Sequence, residues 1–270
     1  GEDICLDLAN GGLPRDTAGC AYMDGGQVRF ADRRRVSVDI DYLPFPAWDL
    51  VDGRFYCELN SATTFNFLTR SLGLLSSSGC PGSCYFCSSA WNRPLRMHGV
   101  EYVLDLCELL IKTYPVDTLA FWDDTMGTKR DRLMKICEGM IKRGISKKIK
   151  WYAALRADQV DLELLRTMKQ ANCFNVAFGI ESGSDRVLKL LRKGISVEQN
   201  RAACAQVKEA GLALGVSIIV GTPGETLDDV RQTLDFCRGI DCDSIGCGRF
   251  RPLPGSPSYK ELKAQGLINP

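Results

Sequence analysis

The chain has 270 residues, 45% of them hydrophobic, and its 34 basic residues nearly cancel 33 acidic ones to leave a formal net charge of +1. This length and apolar content support a well-buried core in one large domain or two small ones, and the charge balance indicates no nucleic-acid partner. No stretch approaches the ~20 uninterrupted apolar residues of a membrane span, and no basic segment followed by a hydrophobic run opens the chain, so a cytoplasmic setting is expected.

Residues 1–66 read as a small N-terminal segment. Ala21 to Met23 and Gln27 to Phe30 flank the turn Asp24-Gly25-Gly26, the pattern of a hairpin. The basic cluster Arg33-Arg34-Arg35 reads as a solvated turn rather than a phosphate site. A proline-punctuated connector, Leu43-Pro44-Phe45-Pro46-Ala47-Trp48-Asp49, follows.

The core is expected over residues 67–270, where short apolar runs alternate with amphipathic stretches from residue 72 onward. That is the rhythm of strand-helix units and a parallel sheet. Six strands are predicted: Leu72 to Ser76, Thr118 to Trp122, Ile149 to Ala154, Asn175 to Ile180, Ala213 to Val220 and Ser244 to Phe250. Helices are predicted near 100–113, 129–143, 160–170, 196–210, 226–238 and 258–265. Asp158 stands just before one apolar-periodic run, and Gly211 is a helix stop after another. The predicted fold is α/β, a partial (βα)6 barrel whose function lies at the carboxyl ends of its strands.

In a reducing compartment, 13 cysteines suggest buried small hydrophobes plus a metal site rather than disulfides. Cys107, Cys137, Cys204 and Cys237 fall on the apolar side of helical patterns and read as core. Cys242 and Cys247 lie close together near the end, without further cysteines to complete an auxiliary cluster.

Cys80, Cys84 and Cys87 differ. They form a C-x-x-x-C-x-x-C array in Ser77-Ser78-Gly79-Cys80-Pro81-Gly82-Ser83-Cys84-Tyr85-Phe86-Cys87, directly after the first predicted strand. A four-iron cluster is usually held by four thiolates; three with no obvious fourth leave one iron open, as catalytic metal sites keep a vacant position. Zinc is the rival, but zinc sites usually pair two cysteine halves or add histidines, and His98 is the only histidine. His98 reads as an exposed structural residue, although it and Arg96 follow the cysteine loop and could approach a substrate.

With the later motifs, the array and the strand-helix rhythm resemble the radical S-adenosylmethionine (SAM) superfamily over about residues 70–260. The connector at residues 43–49 resembles the one preceding the radical domain in cobalamin-binding members. Gly1-Glu2 resembles the end of the cobalamin domain that lies upstream there, so a fragment or a shortened relative is expected, with cobalamin possible only alongside an upstream domain.

The resemblance implies that Cys80, Cys84 and Cys87 hold a [4Fe-4S] cluster and that SAM chelates the fourth iron. Reductive cleavage of SAM then gives a 5′-deoxyadenosyl radical that takes hydrogen from an organic substrate, with flavodoxin or ferredoxin as a plausible class of electron donor. Phe86 resembles the aromatic packing near adenine; alternatively it lines the loop. Asp123 and Asp124, after the second strand, offer a carboxylate to the SAM amino group, and the sequence does not separate them; the alternative is a helix cap. Arg156 resembles the arginine of strand three, pairing with the SAM carboxylate or with Glu181. Glu181 and Ser182 stand in Gly179-Ile180-Glu181-Ser182-Gly183, close to the family's "GIESG" pattern, and suit the ribose or methionyl part. Ile219 and Gly221 precede Thr222-Pro223-Gly224-Glu225, which resembles the adenine-contacting turn; Glu225 reads as a helix start. Arg251-Pro252-Leu253-Pro254-Gly255-Ser256-Pro257 resembles the family's "P-x-PGT" segment. The reaction stays open between a methyltransferase and a cyclase. A non-catalytic iron-sulfur or zinc module explains the cysteines alone.

Overall fold

The computed structural model describes residues 2–32, 39–57, 59–60, 69–88 and 95–268; the Arg33-Arg34-Arg35 cluster lies outside these. The chain divides into two compact units, Gly1–Val38 and Asp39–Pro270.

The first unit holds α1 (Glu2–Ala9) and the predicted hairpin, β1 (Ala21–Asp24) with β2 (Gln27–Phe30). The strands pair antiparallel with Asp24 opposite Gln27. The two-residue turn between them needs left-handed backbone at both positions, and Gly25 and Gly26 supply it with φ of 52° and 80°.

In the second unit, the short helix α2 (Gly53–Tyr56) and β3 (Leu59–Asn60) precede β4 (Thr69–Leu74), and a separate small ribbon joins β5 (Ser77–Ser78) to β6 (Arg96–Met97). Then α3 (Val100–Thr113), β7 (Thr118–Phe121), α4 (Arg130–Lys142), β8 (Lys150–Leu155), α5 (Leu162–Gln170) and β9 (Cys173–Glu181) alternate. Two helices, α6 (Asp185–Leu190) and α7 (Val197–Glu209), lead to β10 (Ala213–Val220), followed by α8 (Leu227–Arg238), β11 (Ser244–Arg249) and α9 (Pro257–Ala264). The sheet order is β11-β10-β9-β8-β7-β4-β3. Its first six members pair parallel, and β3 runs antiparallel at the edge. This is the expected partial barrel of six parallel strands.

The first strand starts and ends earlier than its apolar pattern indicated. Leu72 and Leu74 are buried, but Ser76 leaves the sheet because Asp123 and Arg132 capture it. The helix α6 was not anticipated. The start of α5 is also displaced: Asp161, not Asp158, caps it by accepting from the Leu164 amide. Gly211 stops α7 as expected, with φ of 72°.

The helices pack on one face of the sheet. Alternate strand residues, among them Leu119, Phe121, Trp151, Ala153, Val176, Phe178, Leu214 and Val216, join helix residues in one core that also contains Cys107, Cys137 and Cys204. Cys237 packs against it. The connector belongs to this unit: Phe45 meets Tyr102 of α3 edge-on at 4.8 Å, and Tyr102 donates its hydroxyl hydrogen to the Pro44 carbonyl at 3.1 Å.

Candidate active site

The cysteine loop is tied to the sheet by two consecutive aspartates. Asp123 is buried, and Oδ1 accepts from the Ser76 and Ser77 amides at 2.7 and 2.5 Å while Oδ2 accepts from the Ser76 hydroxyl at 2.7 Å. Burial pushes its carboxyl above the usual range against the pull of those bonds. Asp124, one residue on and exposed, accepts from the Gly79 amide at 2.8 Å, immediately before Cys80. Just past the end of β7, the two carboxylates thus hold successive parts of the loop, Asp123 at Ser76 and Ser77 and Asp124 at Gly79.

All three cysteines are free thiols, with Cys84 buried and Cys87 exposed. The Gly82 amide donates to Cys80 Sγ at 3.4 Å. A Cβ on Gly82 would stand 3.3 Å from Cys80 Sγ, 3.6 Å from Arg156 Nη1 and 3.9 Å from Cys84 Sγ. Two sulfurs and a guanidinium therefore crowd one bare Cα. Burial raises the Cys87 thiol, and the nearby Cys84, Cys80 and Asp124 add to that. Among the described residues, no three His, Cys, Asp or Glu side chains gather tightly enough for a single ion. Three thiolates on one loop are the donor type that a four-iron cluster takes.

Arg156 takes Asp158, at 2.9 Å through both Nε and Nη2, rather than Glu181. Its Nη1 lies 3.9 Å from Cys84 Sγ, and Nη2 also donates to the Lys193 carbonyl at 2.9 Å. Burial opposes its charge, but Asp158, Cys84 and Cys80 outweigh burial and hold the guanidinium above its ordinary value. Glu181 instead pairs with Lys193 at 2.9 Å, the two side chains only 8% and 7% exposed. Glu181 ends β9 in left-handed backbone, φ 67°, a costly conformation for a non-glycine residue.

The loop carrying Lys193 also reaches the cysteines. The Tyr85 amide donates to the Leu191 carbonyl at 2.8 Å, and the Arg192 guanidinium lies 5.2 Å from the Tyr85 ring centre. On its other side, the Tyr85 carbonyl accepts from the Ser258 amide at 3.0 Å. Lys193 went unnoticed in the sequence because a lysine in Leu191-Arg192-Lys193 reads as a surface residue.

The remaining candidates divide. Ser182 is fully buried; its hydroxyl lies 2.9 Å from that of Thr233 and accepts from the Ser184 amide at 3.1 Å, facing α8. Ile219 is half-buried and Gly221 exposed, with φ of 80° and open space where a Cβ would stand. Glu225 does not start α8. Its Oε2 accepts from the Gly221 and Thr222 amides at 2.6 and 3.3 Å, clamping the turn, and Thr226 caps the helix in a capping box with Asp229. Phe86 is half-buried beside Cys87.

His98 is structural but not exposed as expected. Its side chain is 11% exposed, with Nδ1 3.0 Å from Asp41 Oδ1, and its ring stacks on Tyr102 at 3.7 Å. Burial lowers its pKa against the opposing pull of Asp41. Its carbonyl accepts from Arg132 Nε at 2.8 Å, and the same guanidinium binds the Ser76 carbonyl at 2.8 Å. Arg96 keeps a buried Nε without a partner among the described residues.

A curled half-barrel with a three-cysteine loop after its first parallel strand defines a class of iron-sulfur enzyme domain. A model of the radical SAM superfamily matches residues 74–237, and the chain belongs to that superfamily. An uncharacterized methyltransferase of Pyrococcus horikoshii is 31% identical over 270 residues, 99% of this chain and 56% of the relative. The anaerobic magnesium-protoporphyrin IX monomethyl ester cyclase of Cereibacter sphaeroides is 26% identical over 260 residues, 93% of this chain and 40% of the relative. Among solved structures, the cobalamin-dependent S-adenosylmethionine radical enzyme OxsB, with aqua-cobalamin and S-adenosylmethionine bound, matches with a TM-score of 0.76 at 21% identity, over 99% of this chain and 44% of its own. The fold is thus shared with the cobalamin-associated branch that the connector pointed to. The chain spans about half the length of the curated relatives it matches. Among the described residues, no helix is long and apolar enough to cross a membrane.

Proposed function

We propose that this chain is the core of a radical SAM enzyme in which Cys80, Cys84 and Cys87 hold a [4Fe-4S] cluster and the adjoining strand ends hold SAM. The supporting observation is the convergence of the cysteine loop, Asp124 and Arg156 at the carboxyl ends of the first three parallel strands. When bound, the cluster supplies the electron that cleaves a carbon-sulfur bond of SAM, generating the radical that attacks the substrate.

The chain's own residues then bind and orient. Asp124 presents a carboxylate to the SAM amino group, with Asp123 anchoring the loop from behind. Arg156 offers positive charge beside Cys84 and toward the SAM carboxylate. Glu181, fixed by Lys193, faces the ribose or methionyl part, with Ser182 shaping the turn beneath it. Phe86, Ile219 and the open Gly221 flank adenine. A small reductant such as flavodoxin or ferredoxin in a cytoplasmic setting completes the system. The substrate is organic, and methyl transfer or cyclisation follows where a cobalamin domain lies upstream in a longer protein.

Anaerobic reconstitution with iron and sulfide, then dithionite reduction with SAM, tests the reading. Release of 5′-deoxyadenosine is expected. A four-iron cluster that forms and yields no cleavage product under any reductant overturns it.

A further inference from the structure

Trp122 is a large aromatic residue that remains exposed at the end of a central strand. It follows β7, and its backbone amide donates to the Leu74 carbonyl at 2.9 Å, yet its side chain is 55% exposed. Phe121 before it points into the helix-packed core, so Trp122 lies on the opposite, inner face of the curled sheet. There the indole covers Gly73 of β4, where a Cβ would stand 2.5 Å from the ring. Tyr152 of β8 meets it edge-on at 6.1 Å and in turn meets Phe174 at 5.8 Å. The ring is braced below and at one edge, with more than half its surface free.

Beside it one row of the inner face is low and uncharged: Ala154 pairs with Ala177, Ala177 with Gly215, and Gly215 with Ser244. In the next row Gly179 pairs with Ser217 and Ser217 with Gly246, and the Glu181–Lys193 pair covers Gly179. Parallel sheets are normally covered on both faces, but Ala154 and Ser217 are exposed. One row deeper, Asn175 pairs with Tyr152 and is 1% exposed. Its Nδ2 donates to the Ala213 carbonyl at 3.3 Å, while its buried Oδ1 has no partner among the described residues.

We infer that the substrate is a planar, conjugated ring compound, stacked on Trp122 and lying along this floor. A flat floor of small residues excludes little but gives full contact to a flat molecule, and an indole face rewards a second π system over an aliphatic one. The Glu181–Lys193 pair over Gly179 bounds this row on the side of the strand ends, where SAM is proposed to sit. This substrate class rests on the radical SAM reading above.

Equilibrium dialysis of reconstituted, SAM-loaded protein against 1-naphthol and its saturated counterpart decahydro-1-naphthol tests the inference. Wild type should prefer the aromatic compound by about tenfold, the scale of one aromatic stacking platform. Trp122→Ala should abolish that preference and Trp122→Phe preserve it, and Ala154→Leu, raising a side chain from the floor, should weaken binding of both compounds. Trp122→Leu replaces Trp122→Ala if that variant fails to fold. No binding of 1-naphthol, equal binding of the two compounds by wild type, or a preference retained without the aromatic ring overturns the inference. Release of 5′-deoxyadenosine by wild type is scored separately: cleavage without ring preference sinks only the substrate class, whereas ring preference without cleavage sinks the radical SAM reading.

Discussion

Asp123 and Ser76, 47 residues apart, are joined by two buried hydrogen bonds of 2.7 Å, one from the serine amide and one from its hydroxyl. They turn the chain out of β4 and into the cysteine loop. Removing the carboxylate leaves buried donors unsatisfied, so Asp123→Ala should lower stability by about 2–4 kcal/mol. Asp124→Ala should cost little stability but reduce iron loading by loosening Gly79. Thermal denaturation alongside iron quantitation separates the two; the reverse pattern would contradict the roles assigned here.

Cys84→Ala should abolish cluster assembly after reconstitution. Cys204→Ala, which deletes one sulfur from the core, should leave iron content unchanged at a cost of about 1 kcal/mol. Equal iron loss in both variants would refute the ligand assignment.

The buried Glu181–Lys193 pair offers a test by double substitution. Lys193→Met strands a carboxylate and should destabilise by about 3–5 kcal/mol. Glu181→Gln combined with Lys193→Met should be more stable than Lys193→Met alone. Chemical denaturation of the set checks this, and additive losses would show that the two groups are not coupled.

Acid should weaken the fold through Asp229. Arg186, then Thr226 and Ser184, hold its carboxyl well below the usual range. A depressed folded pKa means that the stabilisation is complete above the unfolded value of ~3.9 and is lost as pH falls below it. Asp161, held down by Arg130, and Asp117, held down by Arg70, act in the same direction. Buried His98, whose pKa is lowered, adds a loss that begins as pH falls below its unfolded value of ~6.5, so the melting temperature should decline gently from pH 7 to about pH 5 and steeply below about pH 4. Asp229→Asn should lower it at pH 7 and flatten the acid limb; curves that remain parallel would remove Asp229 from the account.

The strand-helix rhythm was legible because each helix repeats its apolar positions and each strand is a short apolar run. Ala213–Val220 was predicted to the residue, and Val100–Thr113 falls where a helix near 100–113 was predicted. Helix α6 escaped because six residues hold too little periodicity to declare themselves. Asp123 and Asp124 were inseparable for another reason: their roles depend on contacts with Ser76, Ser77 and Gly79, which no local pattern records. The pairing of Glu181 with Lys193 instead of Arg156 was hidden likewise, since it arises only when the loop after α6 folds back over β9.

Tyr85 sits between two cysteines, yet its backbone is fastened to Leu191 and Ser258, far downstream. The loop leaves the ribosome long before either anchor does. The placement of the loop therefore depends on segments of the barrel that are made much later than the loop itself.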